Sequence, residues 1–248
     1  MKAIIPAAGH GTRFQPVTRV IPKEMLPIGS KPALELIVDE AKSAGADEIV
    51  IVISHGKELI REYFKDDPSI RFVYQEEQKG LGHAVMIGLE ALENLDASPV
   101  LILLGDAVVA GCNASAAMAA VSAANGGAGV IGLERVPREK VSRYGIVRLE
   151  GDRIVDLVEK PSPETAPSDL AIAGRYLLDG RILEFLRTQE PGKGGEIQLT
   201  DAIRRMVTTS HLSPFTFHLY GYIYPGRRQD IGNPKGYFDA LKAMGENE

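Results

Sequence analysis

Tryptophan is absent, cysteine occurs once, and basic residues are in the minority. Each scarcity excludes something. The lone thiol, Cys112, rules out an intrachain disulfide and fits a reducing compartment. It reads as a small, buried or half-buried hydrophobe. Lys and Arg number 28 against 33 Asp and Glu, a formal net charge of −5. Such a chain has no general electrostatic reason to coat nucleic acid or an anionic membrane. No stretch approaches the roughly 18 apolar residues that a membrane helix needs. The apolar run after Lys2 is too short for a secretory signal. No His-x-His pair occurs, and no histidine–cysteine cluster has zinc spacing. These absences lead us to expect a soluble, cytoplasmic protein with neither nucleic-acid nor membrane partners.

What is present is ordinary globular material: 248 residues, 44% hydrophobic and 25% charged. Short β-branched runs at Lys2–Ala8, Glu48–Ser54, Ile70–Tyr74, Pro99–Leu104 and Gly129–Leu133 predict strands buried on both faces. Helical patterns lie between them at Pro32–Ala44, Lys57–Phe64, Leu81–Leu95 and Asn113–Ala124. In the first, Leu34, Ile37, Val38 and Ala41 fall on one helical face. Strand–helix alternation argues a parallel sheet of βαβ units. The second half changes character, with strands expected at Gly145–Leu149, Arg153–Val158, Ala171–Leu178 and Phe215–Tyr224. Helices are expected at Arg181–Arg187, Leu199–Thr208 and Asn233–Met244, and the proline-rich Lys160–Ser168 is a loop. The expected fold is α/β: a Rossmann-like, mixed but mainly parallel sheet flanked by helices. A small α+β elaboration of the same sheet occupies the C-terminal half, so 1–248 reads as one domain.

The densest motif follows the first strand: Pro6-Ala7-Ala8-Gly9-His10-Gly11-Thr12-Arg13, then Pro22-Lys23-Glu24-Met25-Leu26-Pro27. Small residues let backbone N–H groups approach an anion, and Arg13 and Lys23 add charge for phosphate oxygens. It is not a dinucleotide fingerprint, because Phe14 stands where a third glycine would be. It is not a P-loop either, since no glycine precedes a Lys-Ser/Thr pair. Asp106 follows the apolar run PVLILLG, where open α/β sheets bind ligands.

The string GxGTRxxPxTxxxPKEMLP resembles the opening signature of sugar-nucleotide pyrophosphorylases. Its PKEMLP form is most similar to the bacterial UTP–glucose-1-phosphate uridylyltransferase family. Further pieces match in order: KGLGHA from Lys79, LGD ending at Asp106, YGIV from Tyr144, VEKP from Val158, GRY from Gly174, GGEIQLTD from Gly194 and GRRxDIG from Gly226. The resemblance implies the nucleotide-diphospho-sugar transferase type of fold, with residues 1–135 binding nucleotide and 136–248 binding sugar phosphate. It implies in-line transfer of a uridylyl group from UTP to α-D-glucose 1-phosphate, giving UDP-glucose and pyrophosphate with Mg²⁺. dTTP or another sugar 1-phosphate is the close alternative, because a hydrophobic slot rejects one methyl weakly. A non-catalytic nucleotide-binding module is the other.

Carried over residue by residue, the resemblance makes Arg13, Lys23, Asp106 and Lys160 catalytic. Nucleotide contacts fall to Ala8, Gly9, Gly11, Thr12, Arg13, Lys23, Gln75, Gly80, Gly82 and Asp106. Gln75 stands four residues before Lys79, the spacing of the family's base-reading glutamine. Gly145, Glu159, Lys160, Gly174 and Asp230 fall to the sugar phosphate. Asp106 and Asp230 would share one Mg²⁺. Ala107 stands where many relatives carry a second aspartate, and Gln229 where an aromatic is usual. The family commonly forms homodimers or homotetramers, for which Phe215–Tyr224 could supply a sheet edge or an interface.

Overall fold

The computed structural model describes residues 1–93, 95, 98–209 and 217–245. Its strands are β1 (Lys2–Pro6), β2 (Pro27–Ile28), β3 (Lys31–Pro32), β4 (Glu48–Ile53), β5 (Ile70–Tyr74), β6 (Pro99–Leu103) and β7 (Ala107–Ala110). They continue with β8 (Gly129–Arg135), β9 (Gly145–Glu150), β10 (Arg153–Glu159), β11 (Leu170–Asp179), β12 (Leu219–Ile223) and β13 (Arg227–Asp230). The α-helices are α1 (Ala33–Ser43), α2 (Glu58–Tyr63), α3 (Leu81–Glu90), α4 (Ala114–Ala124), α5 (Ile182–Arg187), α6 (Leu199–Thr208) and α7 (Pro234–Gly245).

A nine-stranded sheet in the order β5-β4-β1-β6-β11-β8-β12-β10-β9 organises the molecule. Its first four strands run parallel. The direction reverses at β11, which pairs antiparallel with both β6 and β8. The sheet is thus mixed, parallel through its first four strands and largely antiparallel beyond them, as the change of character between the two halves of the sequence implies.

The core has two layers because strand side chains alternate. Val50 and Val52 of β4 join Ile4, Ile102, Val85 and Leu89 on one face. Ile49, Ile51 and Ile53 join Ile5, Leu34 and Ile37 on the other. So α3 covers one side and α1 the other. On α1 the expected face, Leu34, Ile37, Val38 and Ala41, is buried. Leu34, Ile37 and Val38 each contribute about 1.5–3 kcal/mol by leaving water.

Besides the short β2–β3 hairpin, three features differ from the sequence expectation. Among the described residues β5 pairs only with β4, and its side chains are exposed or half-buried, Arg71 exposed, so the strand is not buried on both faces. The last strand covers Leu219–Ile223 and pairs with β8 on one side and β10 on the other. It therefore offers no free sheet edge; Phe215 and Thr216 lie outside the described residues. The third is a separate two-stranded ribbon, β7 with β13, whose register sets Asp230 opposite Ala107. Its second strand reads Arg-Arg-Gln-Asp and carries no apolar periodicity to betray it.

Candidate active site

The parallel strands all end on the same side, and their carboxyl ends build one wall of a cleft. β1 delivers the glycine loop, β5 delivers Gln75, and β6 delivers Gly105 and Asp106. Backbone bonds tie these exits together: Ala7 donates to the Val52 carbonyl at 2.8 Å, Gln75 to Ile53 at 2.8 Å, and Gly105 to Pro6 at 3.1 Å. The cleft holds about 450 Å³ and is lined by Ala8, Gly9, Gly11, Thr12, Lys23, Gln75, Gly80 and Asp106, among others. Eight of the ten residues expected to meet the nucleotide thus share one cavity. Arg13 stands exposed at its edge, on the single turn Thr12–Phe14. Gly82 is buried below, donating its N–H to the Ile197 carbonyl at 2.8 Å.

The Gln75 and Gly80 side of the cleft is clamped from the second half of the chain. Ile197 donates to the Lys79 carbonyl at 2.7 Å. Gly80 has φ +102°, and a Cβ there would stand 2.7 Å from the Glu196 side chain and 3.0 Å from the Ile197 carbonyl oxygen. Only glycine fits both demands. The GGEIQLTD string therefore acts as a brace for KGLGHA.

The floor of the cleft is charged. Lys23 Nζ meets Asp106 Oδ2 at 2.5 Å. Burial disfavours the Lys23 ammonium, yet Asp106, Glu24 and Asp230 together hold its pKa above the usual value. Burial also works against the Asp106 carboxylate, but Lys23 and then Arg228 hold it below its usual value. The ribbon brings Asp230 beside it. Ile231 donates to the Asp106 carbonyl at 2.9 Å, and Gly232 to Asp230 Oδ1 at 2.9 Å. A Cβ built on Gly232 would lie 2.9 Å from Asp230 Oδ1 and 3.0 Å from Asp106 Oδ2, so both carboxylates converge on one small space. Two aspartates separated by over a hundred residues of chain are thus neighbours. Among the described residues no third acid, histidine or cysteine joins them.

Two buried ion pairs support this floor, and the sequence reading missed both. Lys57 Nζ reaches both Glu24 oxygens at 2.9 Å and also donates to the Ala7 carbonyl. Burial pushes the Lys57 ammonium down and the Glu24 carboxyl up, and their mutual attraction opposes both shifts. The pair ties the glycine loop to the loop bearing Lys23. Arg175, with no exposed surface, holds Glu40 through Nε and Nη2 and donates to the Ala107 carbonyl at 2.7 Å. It anchors β7, and through it the aspartate pair. A buried arginine inside an apolar strand was the available signal, because a charge there needs a partner.

Of the five expected sugar-phosphate residues, Gly145, Glu159 and Lys160 gather in one group, while Asp230 lies on the cleft floor beside Asp106. Glu159 Oε2 accepts from the Thr200 hydroxyl at 2.7 Å, and Lys160 Nζ lies 3.0 Å from Glu159 Oε1. Gly145 lies against this carboxylate, its position for a Cβ 3.3 Å from Glu159 Oε2. Lys160 has φ 45°, an uncommon conformation for a residue with a side chain. Its backbone is pinned by the Tyr144 carbonyl at 2.9 Å and by Lys193 Nζ at 2.6 Å. Gly174 sits lower, under Leu104 and Ala107, and its carbonyl accepts from the Leu104 N–H at 3.0 Å. Arg228 lies over the Tyr144 ring and bonds Glu134 at 2.7 Å. Because its charge acts on Asp106, it links this group to the cleft floor.

The nucleotidyl transferase family model matches residues 2–247. The chain belongs to that family. Two staphylococcal relatives, from Staphylococcus epidermidis and Staphylococcus haemolyticus, are each named UTP–glucose-1-phosphate uridylyltransferase. They are 39% and 40% identical across 95% of this chain and 89% of their own. Among solved structures, a UDP-glucose pyrophosphorylase complexed with UDP-glucose superposes with TM-score 0.88. It is 34% identical, over 100% of this chain and 99% of that one. A UTP-bound UGPase from Acinetobacter baumannii gives 0.81 at 30% identity, over 100% of this chain and 94% of its own. In this nucleotidyl transferase no helix among the described residues is long and apolar enough to cross a membrane.

Proposed function

We propose that this nucleotidyl transferase moves a uridylyl group from UTP to α-D-glucose 1-phosphate, releasing UDP-glucose and pyrophosphate. The observation that carries the reading is the convergence of Asp106, Asp230 and Lys23 at the floor of a cleft rimmed by the glycine loop and Gln75. The relatives' names agree with it.

In this reading residues 1–135 hold the nucleotide. The glycine loop offers backbone N–H groups to the triphosphate, and Ala8, Gly9, Gln75, Gly80 and Gly82 frame the base. Arg13, free at the edge, takes up the charge of the departing pyrophosphate. Lys23 sits beside the reacting phosphorus, its ammonium held charged by its acidic neighbours. Residues 136–248 hold the sugar phosphate: Lys160 takes its phosphate, Glu159 accepts from sugar hydroxyls, and Gly145 lets the ring approach. Gly174 shapes that site from below. Holding both reactants in line supplies most of the rate, because phosphoryl chemistry asks little covalent help of protein.

The Asp106–Asp230 pair fits a Mg²⁺ ion. It offers two hard oxygen donors that converge on one space, and Mg²⁺ usually completes its shell with water and phosphate oxygens. When bound there the ion neutralises phosphate charge. We also propose that the chain associates into a homodimer or homotetramer; light scattering showing only a 26.8 kDa species would end that idea.

The test is pyrophosphate release, with UTP, dTTP, ATP, CTP and GTP crossed against a panel of sugar 1-phosphates, with and without Mg²⁺. Rapid release with UTP, glucose 1-phosphate and metal is expected. Release with another pair would correct the substrates. Silence from folded protein that binds nucleotide would revive the binding-module alternative.

A further inference from the structure

Gln75 is the residue expected to read the base, and its amide can face the cleft in either of two ways. With Oε1 outward it offers an acceptor; with Nε2 outward it offers donors. The surroundings choose between them. Nε2 donates to the Gly80 carbonyl at 3.2 Å and lies 3.0 Å from His83 Nδ1. A flipped amide would set Oε1 against the Gly80 carbonyl oxygen, two acceptors facing each other. No hydrogen bond among the described residues engages Oε1, and the side chain lines the nucleotide cleft.

His83 can choose only if its Nδ1 is an acceptor. A neutral imidazole has one donor and one acceptor nitrogen. Its Nδ1 faces Gln75 Nε2 at 3.0 Å, so the tautomer protonated on Nε2 is the one that leaves Nδ1 to accept from Gln75. Burial, with the Lys79 ammonium nearby, holds the ring below the ordinary histidine value of 6.5. Glu77 and Glu90 oppose that shift without reversing it. The ring is therefore neutral at pH 7.

We propose that His83 is a specificity-positioning residue that locks the Gln75 amide with its oxygen toward the base. The proposal rests on the reading that this cleft takes UTP. An outward oxygen suits a pyrimidine with a proton on N3, as in uracil or thymine. Cytosine offers a lone pair at N3 and meets it acceptor to acceptor. Selection against cytosine is thus set by a residue that touches no substrate atom.

The experiment measures kcat/KM for UTP and for CTP, with glucose 1-phosphate, in the wild type and in His83→Asn and His83→Lys. The ratio of the two is internal to each preparation and independent of the folded fraction. Asn keeps an acceptor near Gln75; Lys offers only donors, which draw Oε1 inward and leave the Gly80 carbonyl alone to oppose the flip. His83→Lys should lower the UTP/CTP ratio by roughly tenfold or more, the scale of one hydrogen bond reversed. His83→Asn should keep the ratio within about threefold, the scatter of such contacts. In a Gln75→Ala background His83→Lys should add no further change.

A UTP-preferring wild type whose ratio is unmoved by His83→Lys overturns this inference alone. So does an equal shift in the Gln75→Ala background, which would show that His83 does not act through Gln75. A wild type that prefers CTP, or turns over no pyrimidine nucleotide, overturns the substrate reading and this inference with it.

Discussion

The two halves of the sheet build their parts of the site in different ways. In β5-β4-β1-β6 every strand runs the same direction, so every carboxyl end opens on one cleft. A motif that directly follows an apolar run lands in that cleft: the glycine loop after β1, Gln75 after β5, Asp106 after β6. In the half from β11 to β9 most neighbours run antiparallel, and strand ends alternate sides. The residues gathered there come from a strand start (Gly145), a strand end (Glu159 and Lys160) and a helix start (Thr200). Position along the chain predicts function in a parallel sheet and loses that power in an antiparallel one.

The largest effect expected from breaking this arrangement is at the join. The β7–β13 ribbon brings the aspartates together, so Asp106→Asn or Asp230→Asn should each cut turnover by about 10³-fold or more. Circular dichroism should show the fold intact. Full Mg²⁺-dependent activity in both variants would remove the metal assignment.

The next effect concerns the anchors. Arg175→Met leaves Glu40 buried without its partner and should cost about 3–5 kcal/mol in urea unfolding. Lys57→Met, which strands Glu24, belongs in the same range. A loss below about 1 kcal/mol in both would mean that these pairs act as surface pairs do, and that the floor is held by packing alone.

A pH titration sharpens the same picture. Asp106 is held below its ordinary value of 3.8, so its contribution is present above that value and fades as pH falls through the lower folded pKa. Lys23 is held above 10.5, so its contribution is present below that value and fades only as pH rises through the higher folded pKa. The stability gap between wild type and Asp106→Asn should therefore stay flat from about pH 5 to about pH 9 and narrow in stronger acid and again in stronger base. A steep change near pH 7 would show that another group controls the pair.

The smallest effect lies far from the cleft. Arg135 and Asp169 form an exposed pair at 2.8 Å, and Arg135→Gln should change stability by under about 1 kcal/mol. A larger loss would mean that β8 and the start of β11 contribute more to the antiparallel half than packing suggests.

Legibility in the sequence follows the same division. The parallel strands and α1 announce themselves, because burial on both faces forces β-branched runs and one-sided burial forces a helical stripe. The places of the glycine loop and Asp106 were legible for the same reason, while Gln75 entered through the family resemblance. The ribbon was not: four polar residues of β13 form a strand only because β7 offers a partner. Nor was Lys57, which looks like a surface charge until the fold buries it; Arg175 did leave a signal, a charge inside an apolar run. Asp230 could be placed beside Asp106 only through the family resemblance; spacing alone says nothing across so many residues.

The central claim is the division of labour between the halves, and initial-rate kinetics with both substrates varied tests it most directly. Gln75→Ala should raise the KM for UTP by roughly tenfold, the scale of one lost hydrogen bond, and leave that for glucose 1-phosphate unchanged. Glu159→Gln should do the reverse. If both variants raise the same KM, the two walls do not hold separate substrates, and the account fails at its centre.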